Sequence, residues 1–164
     1  MKCNNCNTEK IHYLHEAEDY YTLDKFKVYF CDSCKLIFST PNTIDLDFYY
    51  PKTYRKYVGI INYLLTFKSK YYVKKISNLF DLSKQKLSVL EIGCGDGTML
   101  KEFKKLGWST QGNERSVSIN QENSLNISDK ALQSFEDDYF DLVLMYNSLE
   151  HIDNPNLIIN HSLK

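Results

Sequence analysis

Charge of one sign is not in excess in this chain of 164 residues. Lys and Arg number 20 against 21 Asp and Glu, a formal net charge of -1, which removes any overall case for a polyanion partner. Proline and glycine are scarce, at three and six residues, so neither a collagen-like repeat nor a long disordered tail is in view. There is no internal repeat and no long hydrophobic run. The most apolar stretch, Tyr57 to Phe67, is too short for a bilayer and contains Asn62. The N-terminus, Met1-Lys2-Cys3-Asn4-Asn5-Cys6, has no apolar core of the kind a secretory signal needs. These absences predict a cytoplasmic protein. What is present, 43% hydrophobic and 25% charged residues, is the mixture of a soluble globular chain. Its wealth of Lys, Asn, Ile and Tyr reads as a codon bias, not a functional tyrosine box.

Cysteines are few, but four of the five fall into two pairs, Cys3-Asn4-Asn5-Cys6 and Cys31-Asp32-Ser33-Cys34, with about two dozen residues between them. Disulfides are rare in a reducing compartment, and four thiolates at this spacing can converge tetrahedrally on one zinc ion. The pattern predicts Cys3, Cys6, Cys31 and Cys34 as ligands of a closed, structural Zn2+ site; redox chemistry and a decayed site remain open. The residue after each second cysteine needs a left-handed backbone, which suits Asn7 and sits less well with Lys35. His12 and His15, in the intervening loop, read as surface residues. Cys94 reads as a small buried filler.

Three stretches follow from composition and period: 1–40, a β-rich ribbon; 41–86, a basic helical linker; and 87–164, an α/β domain. The ribbon has strand-like runs at Phe26–Phe30 and Leu36–Phe38. The linker carries Val58, Ile61, Leu64, Leu65, Val73, Ile76 and Leu79 at helical spacing over Thr53 to Lys86, with eight Lys and Arg against Asp81. Such charge is usually a solvated helix face, and it could also grip phosphates. In the third stretch, strands are predicted at Ser88–Ile92, Trp108–Gly112 and Phe140–Tyr146. Helices are predicted at Thr98–Leu106, at Ser116–Leu125, and from near Pro155 to His161. Alternation of this kind implies a parallel, doubly wound sheet.

The most informative segment is Val89-Leu90-Glu91-Ile92-Gly93-Cys94-Gly95-Asp96-Gly97-Thr98. A dinucleotide fingerprint would place glycine at Thr98; here the pattern is Gly-x-Gly-x-Gly with Glu91 two residues ahead. About twenty residues on, at the end of the second predicted strand, stands Glu114, the distance at which an acid reaches ribose hydroxyls. A third segment, Phe140-Asp141-Leu142-Val143-Leu144-Met145-Tyr146-Asn147-Ser148-Leu149-Glu150-His151-Ile152, closes with Pro155.

Together these three segments resemble the class I S-adenosylmethionine-dependent methyltransferases. The ribbon ahead of them is similar to that of small-molecule members acting on nucleotide-activated sugars. The resemblance implies a Rossmann-like sheet, here its first four strands, and S-adenosyl-L-methionine as cofactor. It implies that Glu91 and the backbone at Gly93, Cys94 and Gly95 hold the methionine end, and that Gly97 also belongs to the cofactor site. Glu114 would hold the ribose, and Asn147 and Ser148 would border the methionine moiety. The adenine contact is expected near Gln133 to Glu136. Glu150 and His151 are candidates for a general base toward the acceptor, or for capping the turn before the last helix. The family's sheet usually has seven strands, so the resemblance also implies a chain truncated after the fourth, its remaining half absent or supplied by another chain. The expected partner is a small-molecule acceptor, such as a sugar nucleotide or polysaccharide precursor, with no membrane. An RNA substrate and a non-catalytic zinc-ribbon module are the alternatives.

Overall fold

The aromatic-rich run Phe26–Phe30 lies within a strand, as its β-forming residues predict. The computed structural model describes residues 1–40, 60–81, 86–114, 125–129, 137–152 and 155–163. The chain divides into two compact units, Met1–Lys56 with Ile152–Asn156, and Tyr57–His151 with Leu157–Lys164.

In the first unit, β1 (Ile11–Glu18), β2 (Lys25–Cys31) and β3 (Ile37–Thr40) form an antiparallel sheet in the order β1-β2-β3. The stretch between the cysteine pairs is therefore not a plain loop but a hairpin, with Ile11 opposite Cys31 and Glu18 opposite Lys25. Asp19 makes its turn: the carboxylate accepts from the amides of Tyr21 and Thr22 at 3.0 and 2.8 Å, an Asx turn. The buried hydrophobic residues of this sheet are Cys3, Cys31 and Phe38, flanked by Ile11, Tyr29, Cys34 and Leu36. So small a core cannot offset the entropy of ordering forty residues without a further staple.

The second unit opens with helix α1 (Ile60–Ser77), shorter at its C-terminal end than the apolar period over Thr53 to Lys86 predicts; residues 53–59 and 82–85 lie outside the described residues. Val73 is buried and Ile76 packs on the core, whereas Ile61, Leu64 and Leu79 are exposed. There follow β4 (Ser88–Ile92), α2 (Thr98–Lys105), β5 (Ser109–Asn113), β6 (Ile127–Ser128), β7 (Leu142–Met145) and, from Leu157 on, α3 (Pro155–Ser162). The predicted helix at Ser116–Leu125 falls, apart from Leu125, outside the described residues. The four strands pair in parallel in the order β6-β5-β4-β7. With its helices this is the predicted α/β, Rossmann-like sheet, preceded by a small β-rich ribbon.

β4 is central and its residues 89–92 are buried, as expected of a parallel strand covered on both faces. Val89, Leu100, Phe103 and Leu125 are almost wholly buried, each stabilising the fold by roughly 2 kcal/mol. Trp108, predicted at the start of a strand, instead precedes β5. It is 3% exposed and wedged edge-on between Phe80 and Phe103, with ring centroids 5.1 Å away in both cases. Asp141 fixes the register of β7. Its carboxylate accepts from the Ser88 amide at 2.7 Å and from the Ser88 hydroxyl at 2.8 Å, and its amide returns a bond to the Ser88 carbonyl at 3.1 Å.

Candidate functional site

Parallel strands bring their carboxyl ends together, and in open α/β sheets ligands bind there. Ile92 is in register with Asn113 on one side and Met145 on the other. The residues that follow, Gly93, Glu114 and Tyr146, therefore share one level just beyond the sheet.

The turn after β4 is built on left-handed glycines, with φ of +69° at Gly93, +56° at Gly95 and +73° at Gly97. Gly93 is also required by space: a Cβ there would sit 2.5 Å from the Ser148 Cβ. The close approach is held from the other side, where the buried Ser148 hydroxyl donates to the Ile92 carbonyl at 2.6 Å. In this turn the amides donate inward. Those of Gly93 and Cys94 both reach the Asn113 carbonyl, at 2.8 and 3.2 Å, and that of Gly95 reaches Glu114 Oε2 at 2.7 Å. A phosphate would want such donors; here they are engaged within the chain.

Acids surround the turn instead. Glu91 is 4% exposed. The Leu100 amide, in the first turn of α2, bonds to its carboxylate, while Oε2 is buried without a hydrogen-bond partner. Burial, then the nearby Asp96 carboxylate and more weakly Glu114, push its pKa up to about 8. Asp96 accepts from the Thr98 amide and hydroxyl at 3.1 and 2.7 Å. Cys94 is buried in the core, and burial first, then Glu91 and Glu114, raises its thiol to about 12. Cys94 thus lines the turn as packing, with no reactive thiolate.

Glu91, Gly93, Cys94, Gly95, Gly97, Glu114 and Ser148 are therefore brought together. Asn147 is exposed beside them, with a φ of +52°. Glu150 and His151 lie in a 3-10 turn, Leu149–His151, with Glu150 Oε1 3.9 Å from His151 Nε2. The His151 amide donates to the Ser148 carbonyl at 3.0 Å. The segment Gln133 to Glu136 lies outside the described residues. One cluster the sequence reading missed joins distant segments: Tyr146, after β7, packs against Tyr72 of α1 at 5.9 Å, and Lys68 Nζ lies 5.7 Å from the Tyr146 ring centroid. No local spacing connects residues 68 and 146, so only the fold could reveal it.

A family model described as a methyltransferase domain matches residues 64–164, more than half of the chain. The chain belongs to the methyltransferase-domain family. The match takes in most of α1 and the whole parallel sheet, and with them every acid around the glycine turn. Methyl transfer is accordingly the general chemistry of this domain. No curated protein matches the chain significantly.

The ribbon holds a second candidate site. The sulfurs of Cys3, Cys6, Cys31 and Cys34 all lie within 4.8 Å of one another, with Cys3 to Cys34 and Cys6 to Cys31 both 3.6 Å. Sulfurs around a tetrahedral zinc at about 2.3 Å stand about 3.8 Å apart, so the cluster is compatible with a zinc site. The two knuckles share one geometry. The Asn7 and Lys35 amides donate to the Cys3 and Cys31 carbonyls, both at 2.9 Å, and both residues are left-handed, at φ +56° and +63°. Cys34 is drawn down to about 6 by the Asn5 side chain and the Leu36 amide. At Cys6 the Thr8 amide favours the thiolate, but burial and the other three cysteines prevail and raise it to about 12. His12, half exposed, contacts Asp32 at 3.3 Å; His12 and His15 are on the surface.

Among the described residues, no helix is long and apolar enough to cross a membrane.

Proposed function

We propose that this chain is an S-adenosylmethionine-dependent methyltransferase acting on a small-molecule acceptor, a sugar nucleotide or polysaccharide precursor, with Zn2+ bound structurally in its ribbon. The observation that carries the cofactor reading is the charge of the turn: three carboxylates, one with a buried unpartnered oxygen, around amides already spent. That environment rejects a phosphate and suits a cation. S-adenosylmethionine is such a ligand, bearing an ammonium and a sulfonium, and when bound it would supply an electrophilic methyl group to an in-line nucleophile. Glu91 would receive the ammonium, regaining its charge as it gains a partner. Glu114, already oriented by the Gly95 amide, has carboxylate lone pairs for the ribose hydroxyls. Ser148, by bonding Ile92, keeps Gly93 against β7 and so sets the floor of the cleft. His151, beside Glu150 after β7, is the side chain that would take an acceptor proton.

Calorimetric titration of the zinc-containing chain with S-adenosylmethionine and its demethylated product tests the reading. Saturable binding that disappears in Glu114→Ala is the expected result. A folded sample that binds neither compound would sink it. The acceptor class and a cytoplasmic location rest on the ribbon's resemblance and on its thiolate chemistry. They would be tested by an acceptor screen and by fractionation.

A further inference from the structure

A ligand with the charges just described has one group that the glycine turn cannot accommodate. The methionine portion of S-adenosylmethionine ends in a carboxylate as well as an ammonium. Around the turn stand Glu91, Asp96 and Glu114, and the amides of Gly93, Cys94 and Gly95 donate elsewhere. A carboxylate brought to that wall would be repelled by like charge and would find no donor among those three amides. Its counter-charge has to come from another element.

Tyr146 is the place to look. It follows β7 directly, and because Met145 pairs with Ile92, Tyr146 stands level with Gly93 on the neighbouring strand. Above it sits Lys68 of α1, with Nζ 5.7 Å from the Tyr146 ring centroid and 5.8 Å from that of Tyr72. The two rings pack against each other at 5.9 Å. The Tyr146 hydroxyl is the polar partner of this ammonium and the main reason its pKa is held above the ordinary lysine value. Two aromatic faces and a phenol oxygen fix the direction of an otherwise flexible side chain. Among the described residues Lys68 makes no ion pair, and an ammonium carries three donors. A cation set in this way, next to the strand that ends in the glycine turn, complements the acidic wall.

We propose that Lys68, seated on Tyr146 and Tyr72, is the specificity-determining cation of the cofactor site and receives the α-carboxylate of S-adenosylmethionine. The proposal rests on the cofactor reading above. Acids for the ammonium and a lysine for the carboxylate would then lie on opposite sides of the cleft, so that the amino-acid end enters in one orientation.

The test uses the full zinc-containing chain and two ligands that differ only in this group, S-adenosylmethionine and its decarboxylated analogue. By calorimetry the wild type should bind the analogue about tenfold more weakly, the scale of one charge-assisted hydrogen bond. Lys68→Met should weaken S-adenosylmethionine by about the same factor and leave the analogue unchanged, while Lys68→Arg should recover most of the loss. Equal affinity of the wild type for the two ligands overturns the proposal, and that comparison needs no variant to fold. So does a Lys68→Met protein that loses both ligands equally, which would make the lysine a packing residue. Wild-type binding of S-adenosylmethionine with no effect of Lys68→Met removes this proposal alone. Failure of the wild type to bind either ligand removes the cofactor reading and this proposal with it.

Discussion

A carboxylic acid buried with one oxygen unpartnered keeps its proton more tightly than the same acid in water, and Glu91 is in that position. Its folded-state pKa, about 8, lies above the ordinary glutamate value. The folded chain therefore holds a proton that the unfolded chain has shed. The stabilisation this gives is fully present below the unfolded value and is lost as pH rises toward and through about 8. Without ligand, the melting temperature of the wild type should fall between pH 5 and 8.5, and Glu91→Gln should flatten that slope; parallel profiles would remove Glu91 as its cause. A cation bound beside Glu91 should reverse the balance and expel the proton. Cofactor affinity should then rise with pH up to about 8, with proton release visible as a dependence of the calorimetric heat on buffer. At His151 the expectation is different. His151→Asn should lower turnover by about a hundredfold with cofactor affinity kept; unchanged turnover would leave the residue to order its turn. Gly93 carries both a left-handed φ and a Cβ position occupied by Ser148. Gly93→Ala should cost about 3 kcal/mol in urea unfolding, and a loss below about 1 kcal/mol would mean the turn can move aside.

At the scale of elements, what could be read in advance depended on whether the cause was local. The strand–turn–helix at Ser88 to Lys105 was legible because glycine spacing, an acid two residues ahead and a buried strand all act within a dozen residues. The left-handed strain expected after each cysteine pair is found at Asn7 and at Lys35, since the knuckle imposes it whatever residue stands there. Strand β1 was not foreseen, because its side chains from His12 to Glu18 are all exposed and no apolar alternation marks a face. The sequence places Trp108 at the start of a strand, and the core between Phe80 and Phe103 takes it instead. Helix α1 was legible as a period, but not the fact that only part of it buries that period. The glycine turn with Glu91 and Glu114 could be named from spacing, whereas the Lys68–Tyr146–Tyr72 cluster could not, because α1 and β7 meet only in the fold. Asp141, whose carboxylate ties β7 to Ser88, gives a test at this scale. Asp141→Ala should cost about 1–2 kcal/mol, and hydrogen exchange should quicken first in β7.

Taken as a whole, the molecule combines two ways of holding a fold. The parallel sheet has a core of aliphatic and aromatic side chains, while the ribbon has little besides its cysteines. Chelation at neutral pH should therefore abolish hydrogen-exchange protection in β1, β2 and β3 and leave β4 and β5 protected. Protection of the ribbon that survives chelation would mean the four cysteines need no metal. Cys31→Ser should reproduce the chelated state without any chelator.

The pairing of β4 has a further consequence, for the order of events during synthesis. The hairpin of β1 and β2 closes across the short turn at Asp19, so it can form in microseconds once its residues leave the ribosome. β4 is sandwiched between β5 and β7, and its bond from Ser88 to Asp141 spans 53 residues. Until that length has been made, an apolar strand waits with one edge uncovered. The nascent chain is therefore most prone to aggregation after its ribbon has folded and before β7 emerges, and a chaperone would have most to do in that interval.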